Sequence, residues 1–255
     1  MGRVRRLRIG SVPYLNARPL IYGLEDEVVK APPATLVKLL RTGLIDVALA
    51  PSVAVFDSDD YQVIPGICIG SCGPVRSSVL FHLRKPARLR TVVVDYESRA
   101  SVMLLKVLLG KKYDVTPEYV PSWRVSLRRS SYDGQLLIGD KAMRHRDAGR
   151  KLDLGEAWHE FVQVPFTYAL WIVRRGVALG DTVERLHAAK EKGLANLDRI
   201  AAAQRVVSSK LARRYLGENI HYDFGDHELF GFQIFGRMCV ELGLATREVE
   251  LDFCT

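Results

Sequence analysis

The chain has 255 residues, of which 48% are hydrophobic and 26% charged, with a formal net charge of +8. This balance is typical of a globular protein that buries a large core, and it excludes an intrinsically disordered chain. The positive charge favours anionic ligands, but the basic residues are scattered and lack the interleaved aromatic residues of a nucleic-acid-binding motif. We therefore expect no nucleic-acid partner.

Strand and helix patterns alternate over the first 84 residues. Short apolar runs indicate buried strands, and Gly43 is a typical end for a helix. In chain order, the predicted elements are a strand at 5–12, a helix at 17–24, a strand at 25–32, a helix at 33–43, and strands at 44–52, 61–70 and 77–84. The last two lie around a turn at 71–74.

The pattern restarts near residue 90. It predicts a strand, loop and helix at 90–110, a strand at 113–120, a strand running into a helix at 134–144, and a strand pair at 160–173. Residues 42–52 and 132–142 also resemble each other, so the chain contains two βαβ halves of like construction. We expect an α/β protein with two lobes and a ligand cleft between them. Lobe 1 is expected at 1–86 and 170–255, and lobe 2 at 87–169.

The C-terminal part is predicted to be helical. Residues 181–215 have helical character, with Asp181 or Thr182 as the N-cap. Apolar residues recur at helical spacing over 226–244. These helices have no strands of their own, so we expect them to pack on lobe 1.

The four cysteines do not predict a metal site. Cys68 and Cys72 are separated by three residues, and no second pair with zinc-ligand spacing follows. The N-terminus lacks the apolar run of a secretory signal, and the longest apolar segment, 164–173, is too short for a membrane span. We expect a cytoplasmic protein with reduced thiols and no membrane partner, and the sequence suggests neither a metal nor an organic cofactor.

Five polar loops fall at predicted carboxyl ends of strands or at crossings between lobes, at 11–19, 50–52, 71–78, 96–101 and 138–140. Their hydroxyl, amide and guanidinium groups, with the N–H groups of helix starts, suit carboxylate or phosphate ligands. The candidate ligand-contacting residues are Ser11, Tyr14, Asn16, Arg18, Ser52, Gly73, Val75, Ser77, Ser78, Ser98, Arg99, Ser101 and Asp140, together with Phe166.

Each candidate also has a purely structural interpretation. Asn16 is suited to cap the helix that begins at Ala17, Ser98 or Ser101 to cap the following helix, and Asp140 to cap 141–144. Aromatic side chains that are suited to core packing are Tyr14, Phe166, Tyr168 and Trp171. The histidines show no metal-ligand spacing, and no nucleophile-elbow, P-loop or dinucleotide-binding motif occurs in a suitable context.

Five segments, in this order and at these distances, resemble the chorismate dehydratases of the futalosine route to menaquinone. They are SVPYLNARPL, GPVRS, SRASV, LLIGD, and DLGEAW followed by VPFTYALW. The resemblance runs from about residue 8 to the C-terminal helix, and its opening segment is the most specific part. It implies a type II periplasmic-binding-protein-like fold used as an enzyme. That enzyme is a lyase, which removes water from chorismate to give 3-[(1-carboxyvinyl)oxy]benzoate.

By the same resemblance, Asn16 and Ser77 are the catalytic residues placed closest to the reacting centre. The chain departs from the family pattern at Ser78, a second serine where an apolar residue is usual. This leaves open which of the two hydroxyls faces the ligand. Ala100 stands where a threonine is common, which removes one hydroxyl from the site.

The base that removes the substrate proton is not evident from these motifs. Serine and asparagine are not bases at neutral pH, and arginine stays protonated. We expect the enolpyruvyl carboxylate of the substrate to act as the base while the protein positions it. Asp140 is the alternative, as the one candidate carboxylate.

The sequence leaves two other functions open. One is a non-catalytic solute-binding or sensory module for an anionic aromatic ligand, because a fold does not determine function. The other is the sister enzyme 1,4-dihydroxy-6-naphthoate synthase, which shares the fold but has a different first loop. Incubation with chorismate and, separately, with a cyclic futalosine derivative distinguishes the three. The sequence leaves the oligomeric state open, with a homodimer among the options.

Overall fold

The computed structural model describes residues 6–95, 97–124, 132–145 and 149–254. Within these ranges, ten strands form two five-stranded sheets. The strands are β1 (Ile9–Ser11), β2 (Val28–Lys30), β3 (Val47–Pro51), β4 (Tyr61–Ser71), β5 (Ser78–His82), β6 (Thr91–Val94), β7 (Glu118–Pro121), β8 (Gly134–Ile138), β9 (Arg150–Asp153) and β10 (Phe166–Arg174).

Helices cover most of the remaining described chain. The α-helices are α1 (Pro33–Arg41), α2 (Arg99–Val107), α3 (Gly139–Arg144), α4 (Leu154–Val162), α5 (Thr182–Ala195), α6 (Leu197–Ala203), α7 (Ser209–Arg214) and α8 (Asp226–Glu241). Short 3₁₀ helices occur at Leu15–Ile21, Ser52–Phe56, Pro86–Arg88 and Ser122–Arg124, and π-helical turns at Leu108–Lys112 and Tyr215–Asn219. No helix in the described ranges is both long and apolar enough to cross a membrane.

The two sheets have the same construction. The first has the strand order β2-β1-β3-β10-β4, and the second has β7-β6-β8-β5-β9. In the first, β1 to β3 are parallel, and β10 is antiparallel to both of its neighbours. In the second, β6 to β8 are parallel, and β5 is antiparallel to β8 and β9. This repetition confirms the predicted α/β fold with two halves of like construction.

The chain changes sheets earlier than the boundaries expected at 86 and 170. β5 already belongs to the second sheet, and β10 returns to the first sheet from Phe166. The segment between β4 and β5 is short enough to be interpreted as a turn between neighbouring strands. It is in fact the crossing between sheets, because β4 pairs with β10 and β5 pairs with β8 and β9.

The hydrophobic core has one main cluster for each sheet. Trp171 is fully buried in the first cluster, and Trp158 is fully buried in the second. Helix α8 contributes to both, because Phe232 joins the first cluster and Phe235 the second. Helix α8 therefore packs on the first core, as expected, and also on the second core, which was not expected.

The predicted strand pair at 160–173 contains only one strand, because residues 154–162 form α4. The Asp153 side chain caps α4 by accepting hydrogen bonds from the backbone N–H groups of Gly155 and Glu156. Gln163 ends the helix in the left-handed conformation, with a φ of 59°. The capping residue therefore overrides the β-forming tendency of the apolar residues in this segment.

Candidate active site

A cavity lies where the two sheets face each other, with about 580 Å³ of atom-free space that is partly open to solvent. The carboxyl ends of β3, β4 and β8 line this cavity. The first residues of β5 and β10 lie at the same end, because these strands run antiparallel to their neighbours. Ligands of open α/β sheets bind at this end of the strands. Eight predicted site residues line the cavity: Tyr14, Asn16, Val75, Ser77, Ser78, Ser98, Arg99 and Ser101.

Three other predicted residues lie outside the cavity because they belong to the packed interior. Ser11 is fully buried within β1. The Ser52 hydroxyl donates to the Thr167 carbonyl oxygen at 2.7 Å, which joins the segment after β3 to β10. The Phe166 ring packs edge-on against Phe235, with ring centroids 4.9 Å apart. The structure therefore does not support the predicted contacts between these three residues and a ligand.

The last three predicted residues adjoin the cavity without lining it. Gly73 lies in the loop between β4 and β5, where its φ of 112° favours glycine. Asp140 lies in the first turn of α3, and its carboxylate accepts a hydrogen bond from the backbone N–H of Leu15 at 3.1 Å. Arg18 lies in a neighbouring groove.

The polar side chains expected to cap helices do not do so. The helix Leu15–Ile21 begins before Ala17, so Asn16 lies inside its first turn and Tyr14 takes the N-cap position without a side-chain hydrogen bond. Ser98 occupies the N-cap position of α2, but its hydroxyl makes no capping bond. Helix α3 begins at Gly139, so Asp140 is not its cap.

Four cavity-lining residues instead carry buried polar atoms that have no hydrogen-bond partner within the described ranges. They are Asn16 Oδ1, Ser78 Oγ, Ser98 Oγ and the Tyr168 hydroxyl. The Asn16 side chain lies beside the Tyr215 hydroxyl and the Tyr168 hydroxyl lies beside Ser71, but neither contact has the geometry of a hydrogen bond. A buried polar atom without a partner costs about 1–3 kcal/mol, so proteins seldom keep several of them together in one place. Their collection around one cavity indicates a site that hydrogen-bonds a polar ligand.

The N-terminus of α2 faces the cavity, since Ser98, Arg99 and Ser101 all line it. The first N–H groups of a helix are unpaired within the helix, and the helix dipole favours negative charge there. The Arg99 guanidinium makes a two-pronged ion pair with Asp57, at 2.6 and 2.8 Å. Its charge is thus already partnered, and the helix end carries the attraction for anions at this wall.

The loop after β1, which carries Tyr14 and Asn16, contacts the second sheet directly at the cavity. Gly139 donates its backbone N–H to the Ser77 carbonyl oxygen at 2.7 Å. A Cβ at Gly139 would lie 3.1 Å from Cδ1 of Tyr14, and the residue has a φ of 57°, so both space and conformation favour glycine. Burial raises the pKa of Tyr14 to about 12, and nearby carboxylates add to the shift. Tyr14 is therefore a hydrogen-bond donor at neutral pH.

Sequence reasoning missed two tyrosines at this site. Tyr168 was interpreted as a packing residue, but it lines the cavity, whereas Phe166 does not. Tyr215 is almost fully buried at the start of a π-helical turn, and its hydroxyl faces the side chains of Ser77 and Asn16. Burial raises the pKa of Tyr215 far above its ordinary value, so it stays protonated. Turns of this kind are frequent at functional sites, but the sequence carries no signal for one.

A larger, positively charged groove adjoins the cavity and shares Val12 and Tyr14 with it. Three cations, Arg18, Lys30 and Arg199, and one carboxylate, Glu25, line this groove, so its net charge is positive. None of the three cations has an ion-pair partner among the residues that the structure describes. Over the same ranges, no cluster of three or more histidine, cysteine or carboxylate side chains could hold a metal ion.

Two α/β sheets of the same construction, with a cavity between them, define the class of periplasmic-binding-protein folds. The solved alkanesulfonate-binding protein of Xanthomonas axonopodis pv. citri shares this architecture, with a TM-score of 0.70 and 16% identity over 98% of this chain and 97% of that protein. Within this class, the chain belongs to the menaquinone biosynthesis family, whose model matches residues 7–241.

Two further relatives bear on the fold and the family. A solved protein from Archaeoglobus fulgidus has a TM-score of 0.74 and 18% identity, over 95% of this chain and all of that one. At such identities the likeness shows the fold alone. The chorismate dehydratase of Thermus thermophilus is 30% identical over 253 residues, which cover 89% of this chain and 93% of that protein. These findings confirm the family resemblance of the sequence motifs.

Proposed function

We propose that this protein is a chorismate dehydratase, a lyase that converts chorismate into 3-[(1-carboxyvinyl)oxy]benzoate in menaquinone biosynthesis. The observation that carries the proposal is the set of buried, unpartnered polar atoms that both halves of the chain direct to one cavity. Asn16 comes from the first half, and Ser78 and Ser98 come from the second. Similarity to the Thermus thermophilus chorismate dehydratase over most of both chains supports the same substrate.

Chorismate is a dianion, so its site needs two groups of donors held a fixed distance apart. The N-terminus of α2, with the Ser98 hydroxyl, suits one carboxylate. Ser77, which precedes β5, and Ser78, its first residue, line another wall and suit a second polar group. The groove of Arg18, Lys30 and Arg199 attracts the dianion to the entrance without placing an unpaired cation inside the cavity.

The reaction removes the proton at ring C3 and the hydroxyl at ring C4. The C3–H bonding pair first delocalises through the adjacent double bond into the ring carboxylate. It then forms the C3–C4 double bond as the C4–O pair leaves with hydroxide. The proton and hydroxide together make the one water released, and the ring becomes aromatic. Donors around the ring carboxylate stabilise the developing negative charge, which is an electrostatic contribution to catalysis.

The structure supports the substrate carboxylate, rather than Asp140, as the base. Asp140 does not line the cavity, and one of its oxygens already accepts the Leu15 N–H. The two catalytic candidates, Asn16 and Ser77, line the same cavity. Neither is basic, so they hold the enolpyruvyl group over the ring and assist the departing hydroxide.

The test is to incubate the purified protein with chorismate and to follow the product by mass spectrometry. We expect a product lighter by one water, with the absorbance of a benzoate, and a loss of turnover in the Asn16→Ala variant. Chorismate that is bound but returned intact would identify a solute-binding module instead. Inert chorismate together with consumption of a cyclic futalosine derivative would identify the sister naphthoate-forming enzyme.

A further inference from the structure

The Asp153 carboxylate connects the loop that carries Ser77 to the start of α4. It accepts hydrogen bonds from the backbone N–H groups of Val75 at 2.9 Å and Arg76 at 2.6 Å. The same carboxylate accepts from Gly155 at 3.0 Å and Glu156 at 3.2 Å. Two of these four donors belong to helix capping, and the other two belong to the loop beside the cavity.

The loop places Ser77 through a strained turn. The Ser77 N–H donates to the Val75 carbonyl oxygen at 2.7 Å, and Arg76 between them has a φ of 61°. A three-residue turn with positive φ at its centre is rare and unfavourable for a residue with a side chain. Such a conformation persists only where its surroundings impose it, and it clusters at functional sites.

The opposite side of the loop is held by Asn219, at the end of the π-helical turn. Its amide nitrogen donates to the Pro74 carbonyl oxygen at 2.8 Å, and its amide oxygen accepts from Arg76 Nε at 2.9 Å. The helix approaches the loop so closely that a Cβ at Gly155 would lie 2.5 Å from the Gly73 carbonyl oxygen. The loop is therefore fixed between α4 and the π-helical turn.

We infer that Asp153 is a positioning residue for catalysis, which holds the strained turn at Arg76 so that the Ser77 side chain lies at the cavity wall. The inference rests on the proposed function, because it assigns Ser77 a part in the dehydration. Asp153 does not line the cavity, so it acts through the loop rather than on the substrate.

The two oxygens of a carboxylate are needed for this role. Oδ1 accepts from Val75, Gly155 and Glu156, whereas Oδ2 accepts from Arg76. A serine at 153 retains a hydroxyl that can cap α4, but it has no second acceptor for the loop. An asparagine keeps the three contacts of Oδ1 and loses the contact with Arg76. The three side chains thus form a graded series.

The experiment compares Asp153→Ser and Asp153→Asn with the wild type and with a matched control, Asp133→Ser. Asp133 also accepts a backbone N–H, from Arg90 at 2.8 Å, but it precedes β8 at the end far from the cavity. Because a displacement of about 1 Å costs on the order of 100-fold in rate, we expect kcat of Asp153→Ser to fall at least 30-fold with little change in KM. Asp153→Asn should lie between it and the wild type, and Asp133→Ser should keep kcat within about twofold.

Amide hydrogen exchange gives a readout that does not depend on the reaction. We expect the Val75 and Arg76 amides to exchange faster in Asp153→Ser than in the wild type, while the Leu15 amide is unchanged. Unchanged exchange at both amides, or a kcat no lower than that of Asp133→Ser, would overturn the inference. A wild type that does not dehydrate chorismate would refute the proposed function, and the exchange data would still test the anchoring of the loop.

Discussion

The backbone N–H of Leu15 donates to Asp140 Oδ1 at 3.1 Å, across 125 positions of the sequence. Leu15 follows β1 of the first sheet, and Asp140 follows β8 of the second. Their hydrogen bond fixes the loop that carries Tyr14 and Asn16 against the end of β8. At the same end of β8, the Gly139 N–H donates to the Ser77 carbonyl oxygen. The carboxylate of Asp140 is thus part of the cavity's framework.

Replacement of Asp140 by asparagine tests whether this carboxylate is the base. The amide oxygen of asparagine still accepts the Leu15 N–H, so the framework is kept while the basic group is removed. We expect kcat with chorismate to fall by less than about tenfold. A loss of about a thousandfold or more, with substrate binding unchanged, would assign the base to Asp140. Asp140→Leu is the comparison, because it also removes the acceptor, and it should raise KM.

The pH dependence of stability gives a second test of the Asp140 environment. Burial raises the pKa of its carboxyl above the ordinary value of 3.8, and the Leu15 N–H and two arginines oppose that shift. The folded protein therefore binds this proton more tightly than the unfolded chain does. Relative to Asp140→Asn, the free energy of unfolding of the wild type should rise as the pH falls from 7 to about 4. Denaturant titrations at several pH values measure this difference, and a fall would contradict it.

Two buried serines provide a matched pair for the cavity. The Ser98 hydroxyl lies at the cavity without a partner in the described ranges, whereas the Ser52 hydroxyl donates to the Thr167 carbonyl. We expect Ser98→Ala to keep the free energy of unfolding or raise it by about 1 kcal/mol, and to lower kcat/KM about tenfold. Ser52→Ala should lower the free energy of unfolding by about 1 kcal/mol and leave kcat/KM unchanged. Chemical denaturation measures the free energies of unfolding, and steady-state kinetics measures kcat/KM. A lower kcat/KM in Ser52→Ala but not in Ser98→Ala would place the ligand elsewhere.

The fold followed from the sequence wherever a local pattern determined the structure. The apolar runs of β3, β4 and β8 and the helical spacing of α1 and α8 predicted these elements correctly. Helix α4 was missed, although Asp153, with Glu156 three residues later, is an N-cap signal before an apolar run. The crossing after β4 was missed because strand partners are decided by long-range pairing, which a single segment does not reveal.

The candidate site was predictable to the extent that loops follow strands. Tyr14, Ser77 and Ser98 could be placed together because strand ends of two similar halves meet in a cleft. The role of Tyr215 could not be predicted, because its helical segment is distant from Ser77 in the sequence and contacts the Ser77 loop only in the folded protein. Phe166 and Tyr168 could not be separated either, because a bulge between Thr167 and Ala169 changes the alternation of sides along β10.

Phe166 and Tyr168 therefore form a second informative pair. Phe166 packs among Trp158 and Phe235 in the second core, whereas the Tyr168 hydroxyl is buried at the cavity. The Phe166 and Tyr168 rings also contact each other, with centroids 4.7 Å apart. We therefore expect Phe166→Leu to lower the free energy of unfolding by about 1 kcal/mol and to change KM for chorismate less than Tyr168→Phe does. Tyr168→Phe should raise KM without loss of stability, because it removes an unpartnered hydroxyl. A raised KM in Phe166→Leu alone would restore Phe166 as a substrate contact.

The groove beside the cavity predicts a rate that depends on salt. Lys30 and Arg199 are exposed there, so they should attract the dianionic substrate without contacting the reacting atoms. The double variant Lys30→Gln and Arg199→Gln should lower kcat/KM about tenfold at low ionic strength and leave kcat unchanged. At about 0.5 M salt the difference from the wild type should nearly vanish, since screening shortens the reach of surface charge to a few ångströms. Lys85→Gln is the control, because Lys85 follows β5 at the end far from the cavity. A fall of about threefold in Lys85→Gln, which is the share of one charge in a tenfold effect of two, would show that net charge, rather than this groove, attracts the substrate.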